Sequence, residues 1–385
     1  MALTNKLSAI GDAIREKTGK TDLMTLDEMP IEIASITTGG GGGGAELPEE
    51  AFIITGDCER RFANNSWNWF IDMYGNKITT KDITNAKYMF HYCREIKDIP
   101  FDLNFKSGQE HEATSLFYNC ELITRAPLLK NFRPTDLSDL FNGCARLKEF
   151  PENYGADWDW SYIENSTSKY VGNLASLVSY CRSLRKLPME LYKHVNPNVG
   201  NHYNMYYQMC NFCCALDEVV NIPVPYTVVN WTSNAFNSMV NQAHRLKNFT
   251  FATNDDGTPI IVAWKSQTID FTSATGYGNK SNILKYNSGI TADKEVKDDA
   301  TYQALKNDPD WFTLDINYSR YNHDSAVATI NSLPDTSAYL ATTSGTNTIK
   351  FKGQSGALTD GGAINILTAE EIAVATARGW TVSLV

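Results

Sequence analysis

One short pattern recurs through the middle of this chain and limits the possible folds more than any other feature. Met89-Phe90-His91-Tyr92-Cys93 runs on to Ile96, Ile99 and Pro100, and Leu116-Phe117-Tyr118-Asn119-Cys120 runs on to Ile123, Ala126 and Pro127. Leu140-Phe141-Asn142-Gly143-Cys144 continues to Leu147, Phe150 and Pro151 with the same offsets. A fourth copy has Leu177-Val178, Cys181, Leu184, Leu187 and Pro188, and a fifth has Met209-Cys210, Cys213, Leu216 and Val219. A sixth replaces cysteine by alanine: Met239-Val240, Ala243, Leu246 and Phe249. From Cys93, Cys120, Cys144, Cys181 and Cys213 to Ala243 the steps are 27, 24, 37, 32 and 30 residues, so connections vary while the pattern is kept. Each copy reads as a helical turn with an apolar pair, a small buried Cys or Ala, then a short strand. A unit this short cannot close its own core. The copies are therefore expected to stack as an α/β repeat, a solenoid with parallel strands along one face.

Gly39 to Gly44 are six consecutive glycines, a flexible linker by composition. With its neighbours, over 39–47, it spans roughly 15 Å on average. It separates a segment, 1–38, in which Leu3, Leu7, Ile10 and Ile14 mark an amphipathic helix ending near Gly19. A second short helix is expected from Leu26 to Ile36, with Thr25 and Glu28 as a capping box and Pro30 in its first turn. Two such helices fit either an oligomer seam or a folded-back pair. The repeat region is placed at 48–322 with irregular insertions, and terminal units at 323–385. Val327, Ile330 and Leu333 face one side of a helix there, Asn347 to Lys352 alternate as a strand, Thr368 and Glu371 cap a second helix, and Gly379 stops it before Trp380 to Val385. Residues 252–322 show no clear register; strands are expected at 260–263 and 268–271 and a helix at 298–306.

The 34 Lys and Arg against 44 Asp and Glu leave a net charge of -10, which gives phosphate-backbone binding no support across the whole chain. No nucleic-acid partner is expected. The N-terminus lacks an apolar signal core, and no apolar run approaches the roughly 20 residues of a membrane span. Synthesis in the cytoplasm without a signal peptide, no membrane insertion and eight reduced cysteines are expected.

Several motifs suggest chemistry. Cys210, Cys213 and Cys214 form C-x-x-C-C, but repeat register explains two of them as core, and no second ligand pair stands nearby beyond His202. The glycine run lacks the Gly-Lys-Ser/Thr of a phosphate loop, and Ser355 lacks a complete nucleophile elbow. His111, between Glu110 and Glu112, is expected to be solvated. Asp157-Trp158-Asp159-Trp160 pairs carboxylates with indoles as sugar-cleaving sites do, yet it lies in the longest connection. An exposed loop is expected there, with Trp158 and Trp160 offered to carbohydrate rather than to cleavage. Of the other aromatics outside the pattern, Trp67, Trp69, Tyr203, Tyr206, Tyr207 and Trp231, half or more are expected to be buried.

Asp82-Ile83-Thr84-Asn85-Ala86-Lys87-Tyr88-Met89-Phe90, with Cys93 and Ile96, resembles the BspA-like class of bacterial leucine-rich repeats over about 80–250. Lys6-Leu7-Ser8-Ala9-Ile10-Gly11-Asp12-Ala13-Ile14-Arg15-Glu16-Lys17-Thr18-Gly19, followed by Leu26-Asp27-Glu28-Met29-Pro30, resembles the leader of tail-fibre and baseplate-associated proteins of tailed phages that infect Gram-positive bacteria. Together they imply a non-enzymatic virion structural protein of the phage tail. Residues 1–38 would dock to other tail or baseplate proteins, in a homo-oligomer such as a trimer. The repeats would bind a host cell-surface glycan or protein, with no cofactor and no metal. The positions expected to touch the ligand lie between the apolar residues of each strand, Lys97, Asp98, Lys148, Glu149, Arg185 and Lys186, together with Trp158 and Trp160. The alternatives are a purely structural tail or decoration protein and a bacterial surface adhesin of the same repeat class; a polysaccharide depolymerase is a further one.

Overall fold

The computed structural model describes residues 12, 14–15, 49–65, 67–162, 174–194, 206–223, 238–258, 313–316, 322–335, 337, 347–351 and 367–384. Most of the 1–38 segment, the glycine linker, His202, Tyr203, Trp231, Ser355 and the elements expected within 260–306 lie outside them.

Counting each unit from its small residue as position 0, the preceding eight residues form a chain reversal of fixed shape. Positions -5 and -1 take the left-handed backbone in every unit: Tyr88 and Tyr92 (φ 57° and 60°), Ser115 and Asn119, Asp139 and Gly143, Ser176 and Tyr180, Gln208 and Phe212, Ser238 and Gln242. Asx turns open several reversals, with Asp57 Oδ1, Asn85 Oδ1 and Asp136 Oδ1 accepting from the N–H two residues on at 3.0, 3.0 and 2.7 Å. The reversals are hydrogen-bonded to one another as strands would be. Phe90 N donates to Leu116 O (2.9 Å), Phe117 N to Leu140 O (2.9 Å), Phe141 N to Leu177 O (2.8 Å), Val178 N to Met209 O (3.0 Å) and Cys210 N to Met239 O (2.8 Å). The N–H groups at -1 repeat this, from Tyr92 to Tyr118 O through Phe212 to Asn241 O, each at 2.7 Å. At Gly143 an added Cβ would fall 1.9 Å from Asn119 Oδ1, so this left-handed position admits the neighbouring amide only as glycine.

One unit precedes those visible in the sequence. Arg60 and Asn64 carry the same two left-handed backbones, and Phe62 N donates to Met89 O (2.8 Å), which puts Asn65 at position 0. Cys58 then joins the buried column of Ala86, Ala113, Leu137, Leu174 and Tyr206 at -7. The rings at -3 stack along the repeat axis: Phe62 on Phe90 (5.1 Å), Phe90 on Phe117 (5.5 Å) and Phe117 on Phe141 (5.0 Å), each pair within 17° of parallel. The cysteines at position 0 are fully buried and each thiol donates to the -3 carbonyl of the preceding unit: Cys93 to Phe62 O (2.7 Å), Cys120 to Phe90 O, Cys144 to Phe117 O and Cys181 to Phe141 O (3.1 Å each), and Cys213 to Val178 O (3.0 Å).

Short parallel strands accompany the reversals. The strand expected after each small residue forms only over Glu218–Ile222 and Asn248–Phe251, the Cys120, Cys144 and Cys181 units having single bridges there and the Cys93 unit none among the described residues. β1 (Ile53–Asp57) pairs with β2 (Thr79–Asn85), β3 (Leu103–Asn104) with β5 (Leu129–Lys130), and β4 (His111–Glu112) with β6 (Pro134–Asp136). An Ile83 to Phe105 bridge joins the first pair to the second. A helix, α1 (Asn68–Tyr74), lies between β1 and β2, and its Phe70 packs with Phe52, Trp67, Trp69 and Tyr74. After the short helix α2 (Glu190–Lys193) come β7 (Glu218–Ile222) and β8 (Asn248–Phe251), again parallel. The chain ends in a three-stranded parallel sheet of β9 (Thr313–Asp315), β10 (Asn347–Phe351) and β11 (Trp380–Leu384), with helices α3 (His323–Ser332) and α4 (Ala369–Ala377). Thr368 and Glu371 form a reciprocal capping box on α4, and Gly379 (φ 82°) ends it. Contacts run across residue 323. Ser325 Oγ and Asn248 Oδ1 are 2.9 Å apart, Phe251 N donates to Ser332 Oγ, and one buried cluster runs from Phe52 to Trp380.

His111 corrects an expectation. It is fully buried, 4.8 Å from the ring of Phe105 and 5.9 Å from that of Phe132, and its Nδ1 accepts from Arg133 N at 3.1 Å. Pairing of β4 with β6 buries it despite its acidic neighbours. Burial pushes its pKa below the ordinary value and the Arg133 charge adds to this, against an opposing backbone interaction at Lys106. The unfolded imidazole titrates near 6.5, so the unfolded chain takes up the proton first. Stability is full above about pH 6.5 and falls as the pH drops below it. His111→Phe, measured by denaturant unfolding at pH 7 and pH 5, is expected to lessen this acid-side loss; an unchanged loss would show that His111 does not cause it. Cys144→Ala removes a thiol that fills its site and bonds Phe117 O, and is expected to cost about 1–2 kcal/mol in the same measurement. No change in midpoint would contradict the packing role.

Candidate functional site: the strand face

The residues at +4 and +5 after each small residue, on the side where β7 and β8 pair and single bridges join other units, form a polar surface of the repeats, here termed the strand face. Positions +3 and +6 point inward, as with Ile96 and Ile99, Ile123 and Ala126, Leu184 and Leu187, Leu216 and Val219, and Leu246 and Phe249, all buried. Between them stand +4 and +5, where Lys97, Asp98, Lys148, Glu149, Arg185 and Lys186 are all exposed. Backbone bonds hold these positions in register: Lys148 N donates to Thr124 O (3.0 Å), Asp217 N to Arg185 O (2.9 Å) and Lys247 N to Asp217 O (2.7 Å). Parallel bridges join Arg125 to Glu149 and Lys186 to Glu218. These bonds set Lys148 and Glu149 beside Thr124 and Arg125, and Arg185 and Lys186 beside Asp217 and Glu218; Lys97 and Asp98 occupy the same offsets in their own unit.

That face also holds residues missing from the expected set. Thr124, Arg125, Asp217, Glu218 and Lys247 occupy +4 and +5 of other units, and Arg245 occupies +2. Counting from every Cys or Ala, rather than choosing the most charged pairs, would have found them. Asp217 organises its neighbours. Arg185 reaches its Oδ2 through Nε (3.0 Å) and Nη2 (2.8 Å), while Arg245 Nε and Lys247 Nζ each stand 3.7 Å from Oδ1. Lys186 Nζ lies 3.1 Å from Glu218 Oε1. Such pairs are largely solvated and add little to stability, but they fix where the cations stand.

Trp158 and Trp160 do not belong to this surface, which corrects the expected exposed loop. Each is only 6% exposed. Trp158 meets Phe132 edge-on at 4.8 Å and Tyr154 at 5.3 Å, and Trp160 stacks on His194 at 4.6 Å while its Nε1 donates to Gly155 O at 2.8 Å. The segment folds over Phe132 because the apolar surface beside β5 and β6 needs a cover. Its carboxylates, Asp157 and Asp159, point outward. Asp159 accepts from Ser161 N and Oγ, which with Arg133 3.6 Å away hold its carboxyl below the usual range. A glycosidase acid needs the opposite shift.

The eight cysteines are free. Cys210 and Cys213 are buried at -3 and 0, and Cys214 is half-buried. Burial pushes the thiols of Cys210 and Cys214 up, away from reactive thiolates. Among the described residues no group of His, Cys, Asp and Glu could hold a metal ion, and no helix is long and apolar enough to cross a membrane. No protein-family model, curated protein or solved structure matches the chain.

Trp158→Ala is expected to cost about 3–5 kcal/mol of stability, read from chemical denaturation. A variant as stable as the parent would return this ring to the surface.

Proposed function

We propose that the chain is a tail component of a bacteriophage virion whose leucine-rich-repeat solenoid, of the BspA-like class, recognises the host cell surface. Residues 1–38 attach it to the tail or baseplate, and the glycines of 39–47 let the repeat region reach outward. The N-terminal leader and the Met-Phe-Cys-Leu units, each resembling a family with those roles, support the assignment. The observation that carries the recognition step is the exposure of the polar +4 and +5 positions from Lys97 to Lys247, with those of the Cys120 and Cys144 units, and of the Cys181, Cys213 and Ala243 units, bonded side by side. Flanking apolar residues are buried, so this row can contact a ligand without disturbing the core. A row of moderate contacts, multiplied over the copies on one tail, makes attachment tight through avidity.

The direct test is binding of the full-length protein, fluorescently labelled, to intact Gram-positive host cells and to their purified walls. Saturable binding that competes with phage adsorption is expected. Absence of binding to both, with the repeat region found enclosed by other subunits in the assembled particle, would overturn the recognition role in favour of a structural one.

A further inference from the structure

The strand face is electrically uneven, and its unevenness names a class of ligand. Across positions +1 to +5 of the Cys93 and Cys120 units, three cations meet three carboxylates. The same positions of the Cys144, Cys181, Cys213 and Ala243 units hold seven cations and three carboxylates. A local surplus of four positive charges thus stands on a chain whose net charge is -10. Relief strengthens the asymmetry. The side chains of Lys186, Arg185, Lys247 and Arg245 are 76%, 65%, 52% and 50% exposed, whereas those of Asp217 and Glu218 are 24% and 30% exposed. The acids lie beneath the cations and hold them in place, so a ligand arriving from solvent meets positive charge first.

The geometry points to a binding site for a phosphate-bearing polymer of the cell surface on this half of the face, centred on Arg185, Lys186, Arg245 and Lys247. This rests on the recognition role proposed above and specifies its ligand. Arginine forks and lysine point charges together suit phosphate oxygens, which can bridge two cations at once. A single carboxylate offers no more than Asp217 already supplies from within the site. A polymer fits better than a small ion because the cations spread over several units. Nucleic acid fits less well: the exposed large apolar side chains among the described residues are Ile53, Met73, Leu128, Tyr180 and Leu384, none at +1 to +5 of these four units, so the single imidazole of His244 is the one exposed ring among the described residues at those positions and little base-stacking surface accompanies the charge.

The test uses the full-length protein and inorganic polyphosphate, with polygalacturonate, single-stranded DNA and dextran in parallel. Binding to polyphosphate that weakens with salt is expected, with no binding to dextran. Arg185→Glu/Lys186→Glu is expected to lower polyphosphate affinity at least tenfold, and Arg245→Gln/Lys247→Gln to lower it in the same direction. Lys81→Glu/Lys106→Glu, the same change of net charge at exposed positions off this face, should leave it within twofold. Thermal unfolding checks that each variant folds; the milder Gln pair decides the matter if the Glu pair does not. Equal losses in the on-face and off-face variants, tighter binding of polygalacturonate or DNA, or no polyphosphate binding would each overturn the site. Cell binding separates the two levels. If Arg185→Glu/Lys186→Glu binds cells as well as the parent, the ligand assignment fails and recognition stands; if the parent binds polyphosphate but no cells, recognition fails and the site stands.

Discussion

The hydrogen-bonded stacking of chain reversals is the constraint from which the rest of the structure follows. A reversal ordinarily leaves N–H and C=O groups to be satisfied by water or by local side chains. Here the N–H groups at -5, -3 and -1 donate to the next unit, as from Tyr88 to Thr114 O, Phe90 to Leu116 O and Tyr92 to Tyr118 O. Such a ladder closes only if successive reversals have the same length and the same alternation of backbone conformation. Left-handed residues at -5 and -1 are the outcome, and the ladder holds even tyrosine and phenylalanine there, a backbone that costs such side chains roughly 1–2 kcal/mol. Length variation is thereby confined to the connections, which is why spacings of 24 to 37 residues coexist with an unchanging core pattern.

Position 0 sits where one reversal crosses the carbonyl of the one before. Cysteine suits that place on two counts: its volume is small, and its thiol donates to a carbonyl that already accepts one backbone bond, as Phe90 O accepts from both Cys93 N and Cys120 Sγ. Alanine at 243 keeps the volume and gives up the donor. The column at -3 changes gradually from stacked phenylalanines to Val178, Cys210 and Val240. Where the rings end, at Phe141, Phe150 at +6 and Tyr154 of the long connection pack against the last of them.

The parts of this arrangement that were legible in the sequence are those expressed as local pattern: the position-0 cysteines, the apolar residues at +3 and +6, and the capping box of Thr368 and Glu371. The first unit escaped notice because Asn65 stands in place of cysteine, leaving Phe62 as its clearest signature. His111 was misplaced for a different reason. Its sequence neighbours are acidic, but its burial is set by β6, more than twenty residues away, which local composition cannot convey. The strict alternation of Asp157-Trp158-Asp159-Trp160 did carry the answer, since polar and apolar residues in turn mark a segment with one face inward. Reading it as an exposed loop gave the length of the connection precedence over periodicity. In the candidate site, exposure of Lys97 through Lys186 followed from register, whereas the strut role of Asp217 depends on three units meeting in space.

Core and face are separable in these units, and that bears on what the surface can become. Substitution at -5, -1 or 0 disturbs the ladder or the carbonyl crossing, so those positions are tied to the fold. Substitution at +4 or +5 changes side chains whose buried neighbours, such as Leu184 and Leu187 around Arg185 and Lys186, remain unaltered, and exposed positions of this kind shift stability little. Charge can therefore be rearranged along the row with the scaffold intact. Asp217 marks the limit of that freedom: four cations without it would repel one another across neighbouring units, so a strongly positive face needs at least one recessed carboxylate to stay ordered. Seen this way, the acid beneath Arg185, Arg245 and Lys247 is part of the basic surface, because it allows so much positive charge to be concentrated on a chain that is acidic as a whole.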